Sequence, residues 1–207
     1  MISDKITEIT NGLTWQIVHV KGDRDLEITS NPWEKTHTIS IPAQGADWRE
    51  IEYLHELAHA VLAEKHHLLA TAWFGRSVAK SAYFPLVNPI RVASDWFADD
   101  LLMRWCPVEE TAEIREHADY ALAYHDHDPV MIYGGGLSLA QCVKYLGDKA
   151  YGIPRRYRMV TNALLAVDPS KPTAKAKEYL INLLAAITCG KRVRLTHEEN
   201  KDVWQVV

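Results

Sequence analysis

The segment around residue 55 constrains the fold most, because its apolar residues recur at a helical spacing. Leucine, alanine and valine return every three to four positions along one side of it, at Leu54, Leu57, Ala58, Val61 and Leu62. This spacing predicts an amphipathic helix over 48–66 whose apolar side packs against a core. Asp47 is the expected N-cap, with Glu50 three residues later in the capping-box position.

Two histidines and a glutamate lie within this helix in the pattern HExxH, at residues 55–59. Since residues four apart share one face of a helix, the imidazoles of His55 and His59 can reach a single metal ion. Zinc accepts imidazole nitrogen, and at catalytic sites it has three protein ligands and one open position. Glu56 would then stand beside the metal as the catalytic general base and general acid. The pattern therefore predicts one zinc ion as the cofactor.

A third ligand is expected from a second helix, predicted over 90–105. Asp95 is the candidate, and Asp99 lies one turn further along the same face. Asp95 would bind the metal while Asp99 orients a ligating imidazole from behind it. Asp99 is also the alternative ligand if Asp95 is not used.

A dense polar cluster at 124–128 reads Tyr-His-Asp-His-Asp. Tyr124, His125 and His127 are candidates for a donor to the oxyanion of the transition state, since tyrosine and histidine both fill that role. The cluster could instead supply a second metal site. A plain polar loop that follows a helix is the simpler interpretation of the same residues.

In these motifs the chain resembles the HExxH zinc metallopeptidases, or zincins. The third-ligand helix is gluzincin-like, and the chain is most similar to the ImmA/IrrE family. Proteins of that family have HELxH on one helix and a Phe-Ala-x-x-Leu-Leu-Met stretch on a later one, matched here at 55–59 and 97–103. In this alignment the family's metal-binding glutamate falls on Arg91, which cannot bind zinc. Either the ligand has moved one turn to Asp95, or the third ligand is lost and the site is weak or inactive.

The resemblance implies an α+β fold, with a zincin-like core whose small N-terminal β-sheet packs on the HExxH helix and a mostly helical C-terminal half. It implies a zinc-dependent endopeptidase that hydrolyses a protein or peptide substrate, such as a transcriptional regulator. The alternative is a catalytically weak or inactive zincin-like protein that acts as a regulatory or protein-binding module. We expect a core at 1–107 and a helical region at 108–207 that packs on it as one domain.

The remaining elements follow from alternation and helical spacing. Strands are predicted over 13–20, 25–29 and 36–41, with a meander as the simplest arrangement. Further helices are predicted over 107–124, 137–150, 155–167 and 173–187. The three glycines at 134–136 are expected to form a break, and residues 191–195 and 203–207 a closing strand pair.

Composition narrows the class of protein. Hydrophobic residues make up 47% of the 207 residues and charged residues 24%, as in globular chains. The net charge of −4 leaves no basic excess, so a nucleic-acid partner is not expected. No apolar run reaches the ~18 residues that a membrane span needs, so no membrane partner is expected. Because the three cysteines form no CxxC pair, we expect a cytoplasmic protein.

Overall fold

The fold is α+β, with a small N-terminal sheet and a mostly helical remainder. The computed structural model describes residues 1–22, 25–42, 48–66, 74–124, 128–147, 152–198 and 201–207. The strands are β1 (Gln16–Gly22), β2 (Glu27–Asn31), β3 (Thr36–Pro42), β4 (Val193–Glu198) and β5 (Lys201–Val206). The helices are α1 (Ile2–Gly12), α2 (Glu50–Lys65), α3 (Lys80–Tyr83), α4 (Val87–Trp105), α5 (Pro107–Ala123), α6 (Pro129–Gln141), α7 (Arg155–Leu165) and α8 (Ala174–Thr188).

The N-terminal sheet has the strand order β1-β3-β2. β3 pairs in parallel with β1 and antiparallel with β2, with Ile39 opposite both His19 and Ile28. The predicted meander is therefore wrong, because a meander would place β2 in the centre. β3 takes the centre since its alternate side chains, including His37 and Ile39, are buried, whereas β1 is largely exposed.

The helix predicted around residue 55 is confirmed as α2. Its buried side chains follow the expected stripe, and Ile51, Leu54, Leu57 and Leu62 lie in the core. The N-cap is Arg49, whose backbone N–H donates to the Glu52 carboxylate at 3.2 Å. The expected N-cap, Asp47, lies outside the described residues.

The far end of α2 is tied to the sheet through Glu64. Its carboxylate accepts backbone N–H bonds from Thr14 at 2.8 Å and Trp15 at 2.7 Å, and His37 lies 3.2 Å away. Burial raises the pKa of Glu64, but these hydrogen bonds outweigh it and hold the pKa below its usual value. Burial lowers the pKa of His37, so its neutral imidazole donates from Nε2 to Glu64 and accepts from the Ser30 hydroxyl at 2.8 Å.

The helical region differs from the sequence prediction at α6. This helix begins at Pro129, not at 137, and Asp128 caps it by accepting from the Val130 N–H at 2.8 Å. The glycine run predicted as a break therefore lies inside a helix. A Cβ on Gly136 would lie 2.5 Å from Val160 of α7, so the missing side chain allows the two helices to approach closely.

The other predicted helices are confirmed with small shifts at their ends, and β4 and β5 form the expected antiparallel pair. One cluster of buried side chains runs from Ile39 in the sheet through Leu54 and Trp96 to Leu184 and Trp204 near the C-terminus. The division of the chain at residue 107 stays a prediction. Among the described residues, no helix is both long and apolar enough to cross a membrane.

Candidate metal centre

Three potential ligands meet where α2 packs against α4. His55 and His59 project from successive turns of α2, with their Nε2 atoms 3.0 Å apart. Oδ1 of Asp95, on α4, lies 3.3 Å from Nε2 of His59 and 3.8 Å from Nε2 of His55. Among the described residues these three form the group of His, Cys, Asp and Glu side chains that could hold a metal ion.

The donor set and its spacing fit zinc. Zinc takes imidazole nitrogen and carboxylate oxygen at about 2.0–2.2 Å, so two ligand atoms on one tetrahedral ion lie roughly 3.3–3.5 Å apart. The three separations between donor atoms, 3.0, 3.3 and 3.8 Å, bracket that value. Three ligands would leave one tetrahedral position open, as hydrolytic zinc sites require.

A second carboxylate supports the first histidine from behind. Oδ1 of Asp99 lies 2.9 Å from Nδ1 of His55, and the amide of Gln141 donates to the other Asp99 oxygen. This contact fixes which imidazole nitrogen faces the metal position. Burial lowers the pKa of His55, but the charge of Asp99 and the hydrogen bonds to Asp95 and Asp99 raise it well above its ordinary value.

The Asp95 carboxylate is strongly biased towards its charged form. Burial raises its pKa, but the hydrogen bonds and positive charges of His55 and His59 outweigh burial and lower the pKa well below the usual range. A charged carboxylate between two imidazoles is ready to bind a cation. Arg91, one turn earlier on α4, is exposed at the same cleft and cannot serve as a ligand.

Glu56 lies beside the three ligands and lines both cavities that meet at the metal position. Its Oε2 atom accepts the backbone N–H of Ile28, on β2, at 2.9 Å. This bond links the catalytic candidate to the strand at the edge of the sheet. The side chain is thus held within the cleft.

The two cavities differ in chemistry. The first, about 470 Å³, lies between the start of α2 and helices α4, α5 and α6 and is rich in carboxyl groups. The second, about 640 Å³, runs along β2 and has a mixed lining, in which polar groups such as Glu27, Arg76 and Ser94 accompany the apolar side chains Ile28, Phe74, Val78, Val87 and Ile90. Four side chains line both cavities, namely His55, Glu56, Arg91 and Asp95. The candidate metal position therefore lies at the junction of the two cavities.

Glu110 is a site residue that sequence reasoning missed. It is only 4% exposed and lines the first cavity from α5. A signal was present, because Glu110 falls on the same helix face as the apolar residues Ile114, Ala118 and Ala121, all of them buried. A carboxylate in such a stripe is rare unless it has a structural or functional role.

Of the candidate oxyanion donors, the structure describes Tyr124 alone, and it lies away from both cavities. Tyr124 follows the end of α5, where its ring stacks on Tyr120 at a centroid distance of 5.7 Å. It is not among the described residues that line either cavity. His125 and His127 lie outside the described residues, so their role stays a prediction.

Comparison with protein-family models, with curated proteins and with solved structures finds no significant match. The chemistry of the site is therefore inferred from its own residues.

Proposed function

We propose that this protein is a zinc-dependent metallopeptidase that hydrolyses a protein or peptide substrate. One observation carries the proposal: His55, His59 and Asp95 converge beside Glu56 at the junction of two cavities. A structural zinc site is closed by four ligands and needs no carboxylate beside it. Three ligands, a neighbouring general base and room on both sides are what hydrolysis requires.

The roles of the residues follow from their chemistry. A zinc ion at this position would lower the pKa of a bound water towards ~7 and polarise a substrate carbonyl. With the metal bound, Glu56 would serve as the general base that takes up a proton and as the general acid that returns it to the leaving amine. Asp99 holds His55 by its Nδ1 atom, so that Nε2 faces the metal.

The edge of the N-terminal sheet supports an extended peptide as the substrate. Among the described residues β2 pairs only with β3, and residues of β2 line the second cavity. The Ile28 N–H points from that edge to Glu56 rather than into the sheet. A peptide could add to this edge by main-chain hydrogen bonds, with its scissile bond at the metal position.

A second candidate is a catalytically weak or inactive zincin-like protein that serves as a regulatory or protein-binding module. The bond from Ile28 to Glu56 is the observation that favours it, because a carboxylate engaged by the backbone is less free to move a proton. In either case we propose a cytoplasmic protein, which the three free cysteines support. Under the peptidase proposal, a transcriptional regulator is one candidate substrate.

The test combines zinc analysis with hydrolysis of a peptide library by the full chain. We expect about one zinc per chain in the wild type. Glu56→Gln should retain the zinc and lose peptide hydrolysis by at least about 100-fold, the scale of general acid–base catalysis. Elemental mass spectrometry measures the metal, and mass spectrometry of the library measures cleavage.

Glu50→Gln is the matched control, since Glu50 lies on the same helix, is exposed and lines neither cavity. It should leave zinc content and hydrolysis unchanged. Zinc without hydrolysis in the wild type would favour the inactive module, and absence of zinc would refute the metal site. Loss of zinc in Glu56→Gln would make Glu56 a ligand instead of a base.

A further inference from the structure

The first cavity, which we call the acidic cavity, carries an excess of negative groups. It is lined by seven carboxyl side chains, at Asp25, Glu52, Glu56, Asp95, Asp99, Glu110 and Glu113. Two arginines and two histidines face them, namely Arg49, Arg91, His55 and His117. Because cavity walls of low dielectric focus the field of such groups, the unbalanced carboxylates decide what the cavity attracts.

Most of these carboxylates already have partners. Glu113 receives two bonds of 2.6 Å from the Arg49 guanidinium, which also bonds Glu52. Asp99 is held by His55 and Gln141. These groups therefore contribute little free charge, and Arg49 is neutralised in the same way.

Glu110 is different. Its side chain is buried, faces the acidic cavity and has no hydrogen bond or ion pair with any of the described residues. Burial, together with the charge of Asp99, raises the pKa of its carboxyl to about 8, and the positive charge of His55 offsets this only in part. At pH 7 this carboxyl is therefore mostly protonated when no cation is bound. A cation bound beside it would favour the charged carboxylate, which releases its proton to water and then acts as the counter-ion.

We propose that the acidic cavity is a substrate subsite for a cationic nitrogen group, an ammonium or guanidinium, with Glu110 as its counter-ion. This inference rests on the proposed peptidase function and names the substrate class: peptides with a lysine or arginine side chain, or a free amino terminus, next to the scissile bond. The second cavity takes the residue on the other side of that bond. Glu110 is the specificity determinant because Glu113, the other acidic side chain of α5 that lines the cavity, is already paired with Arg49.

Arg91 does not oppose this assignment. Arg91 lines both cavities beside Asp95, at their junction. Glu110 lies on α5 and lines the acidic cavity but not the second cavity. A cationic group that enters the acidic cavity passes beyond the junction. The acidic cavity is also lined by Asp99, Glu113, Ser138 and Gln141. Its cationic residues Arg49 and His55 are already paired, with Glu113 and with Asp99.

The experiment measures binding separately from hydrolysis. Benzamidine, a guanidinium-like cation, and benzamide, its neutral counterpart, are titrated calorimetrically into the full chain. We expect benzamidine to bind at least tenfold more tightly than benzamide. Glu110→Gln should abolish that difference, and Glu109→Gln, its exposed neighbour on α5, should retain it.

Peptides then identify the source of the cation. Acetylated peptides with one internal lysine, and unblocked peptides without lysine or arginine, compete against benzamidine. Competition by the first set assigns the subsite to a side chain, and competition by the second assigns it to the amino terminus. If neither set competes, or if wild type binds benzamidine and benzamide equally, the inference is wrong even if Glu110→Gln fails to fold.

The two proposals fail in different ways. Benzamidine binding that depends on Glu110, without hydrolysis of any library peptide, would refute the peptidase and keep the cation subsite. Hydrolysis of peptides with no preference for a cation, and no difference between the two probes, would refute the subsite and keep the peptidase.

Discussion

Asp95 and Arg91 occupy successive turns of α4 and face the same cleft with opposite charges. If Asp95 is the third ligand, Asp95→Ala should reduce zinc affinity by more than the roughly 10–100-fold that loss of an outer-shell partner costs. Asp99→Ala should fall within that range, because Asp99 only orients His55. Competition for zinc against a chromogenic chelator measures both constants.

Arg91→Ala is the informative comparison, since it removes a positive charge near the candidate zinc position. Its zinc affinity should equal or exceed that of the wild type. Asp168→Ala, a surface change remote from both cavities, should have no effect. Unchanged zinc affinity in Asp95→Ala would move the third ligand to Asp99 or to the cluster at 124–128.

The part of the candidate site that depends on the spacing of residues along one helix was predictable from the sequence. His55 and His59 meet because four residues make about one helical turn, and this holds wherever the helix packs. That Asp95 approaches them, and that Asp99 lies behind His55, depends on how α2 and α4 pack, which spacing cannot supply. Glu110 depends on three helices at once, so only its position in an apolar stripe signalled a role.

At the scale of elements, two glycines of α6 allow the effect of helix packing on stability to be measured apart from the effect of helix propensity. Gly136→Ala would place a methyl group against Val160 and should destabilise the fold by about 1–3 kcal/mol. Gly134→Ala is the matched control on the same helix. A Cβ there meets nothing within 4 Å, so alanine should stabilise by about 0.5–1 kcal/mol. Urea denaturation of both variants measures the two effects, and equal effects of the same sign would contradict the packing argument.

The elements that the sequence predicted best were those with long periodic patterns. α2 and α8 follow from their apolar stripes, and the stripe of Ile2, Ile6 and Ile9 should have predicted α1 as well. Strand order did not follow, because alternation shows which residues form a strand but not which neighbour it pairs with. The glycine run was wrongly predicted to be a break, because glycine is typical both of helix breaks and of positions where two helices approach closely.

At the scale of the whole molecule, the core includes a buried lysine. Lys177 of α8 is fully buried, and among the described residues its Nζ atom has no hydrogen-bond partner. Burial lowers the pKa of its ammonium group from 10.5 to about 8, against the opposing charge of Asp95. At neutral pH the folded protein therefore carries a buried cation without a hydrogen bond from the described residues, which costs stability.

Replacing that cation should make the protein more stable. Lys177→Met keeps the length of the side chain and removes the charge, so we expect a gain of about 2–3 kcal/mol at pH 7. The unfolded chain binds the lysine proton more tightly than the folded chain does, so wild-type stability rises between pH 8 and 10.5. The advantage of the variant should shrink across the same interval. Chemical denaturation in the presence of EDTA measures both without a contribution from zinc.

The control for this substitution is Lys175→Met, on the same helix but exposed, which should change stability little at any pH. If Lys177→Met destabilised the protein instead, the ammonium group would be making a favourable interaction, with Asp95 its first candidate. The site would then extend from the cleft through α4 to α8, and a loss of zinc affinity in the same variant would accompany the loss of stability. If Lys177→Met stabilises the protein and leaves zinc affinity unchanged, Lys177 has no role at the site and only destabilises the fold.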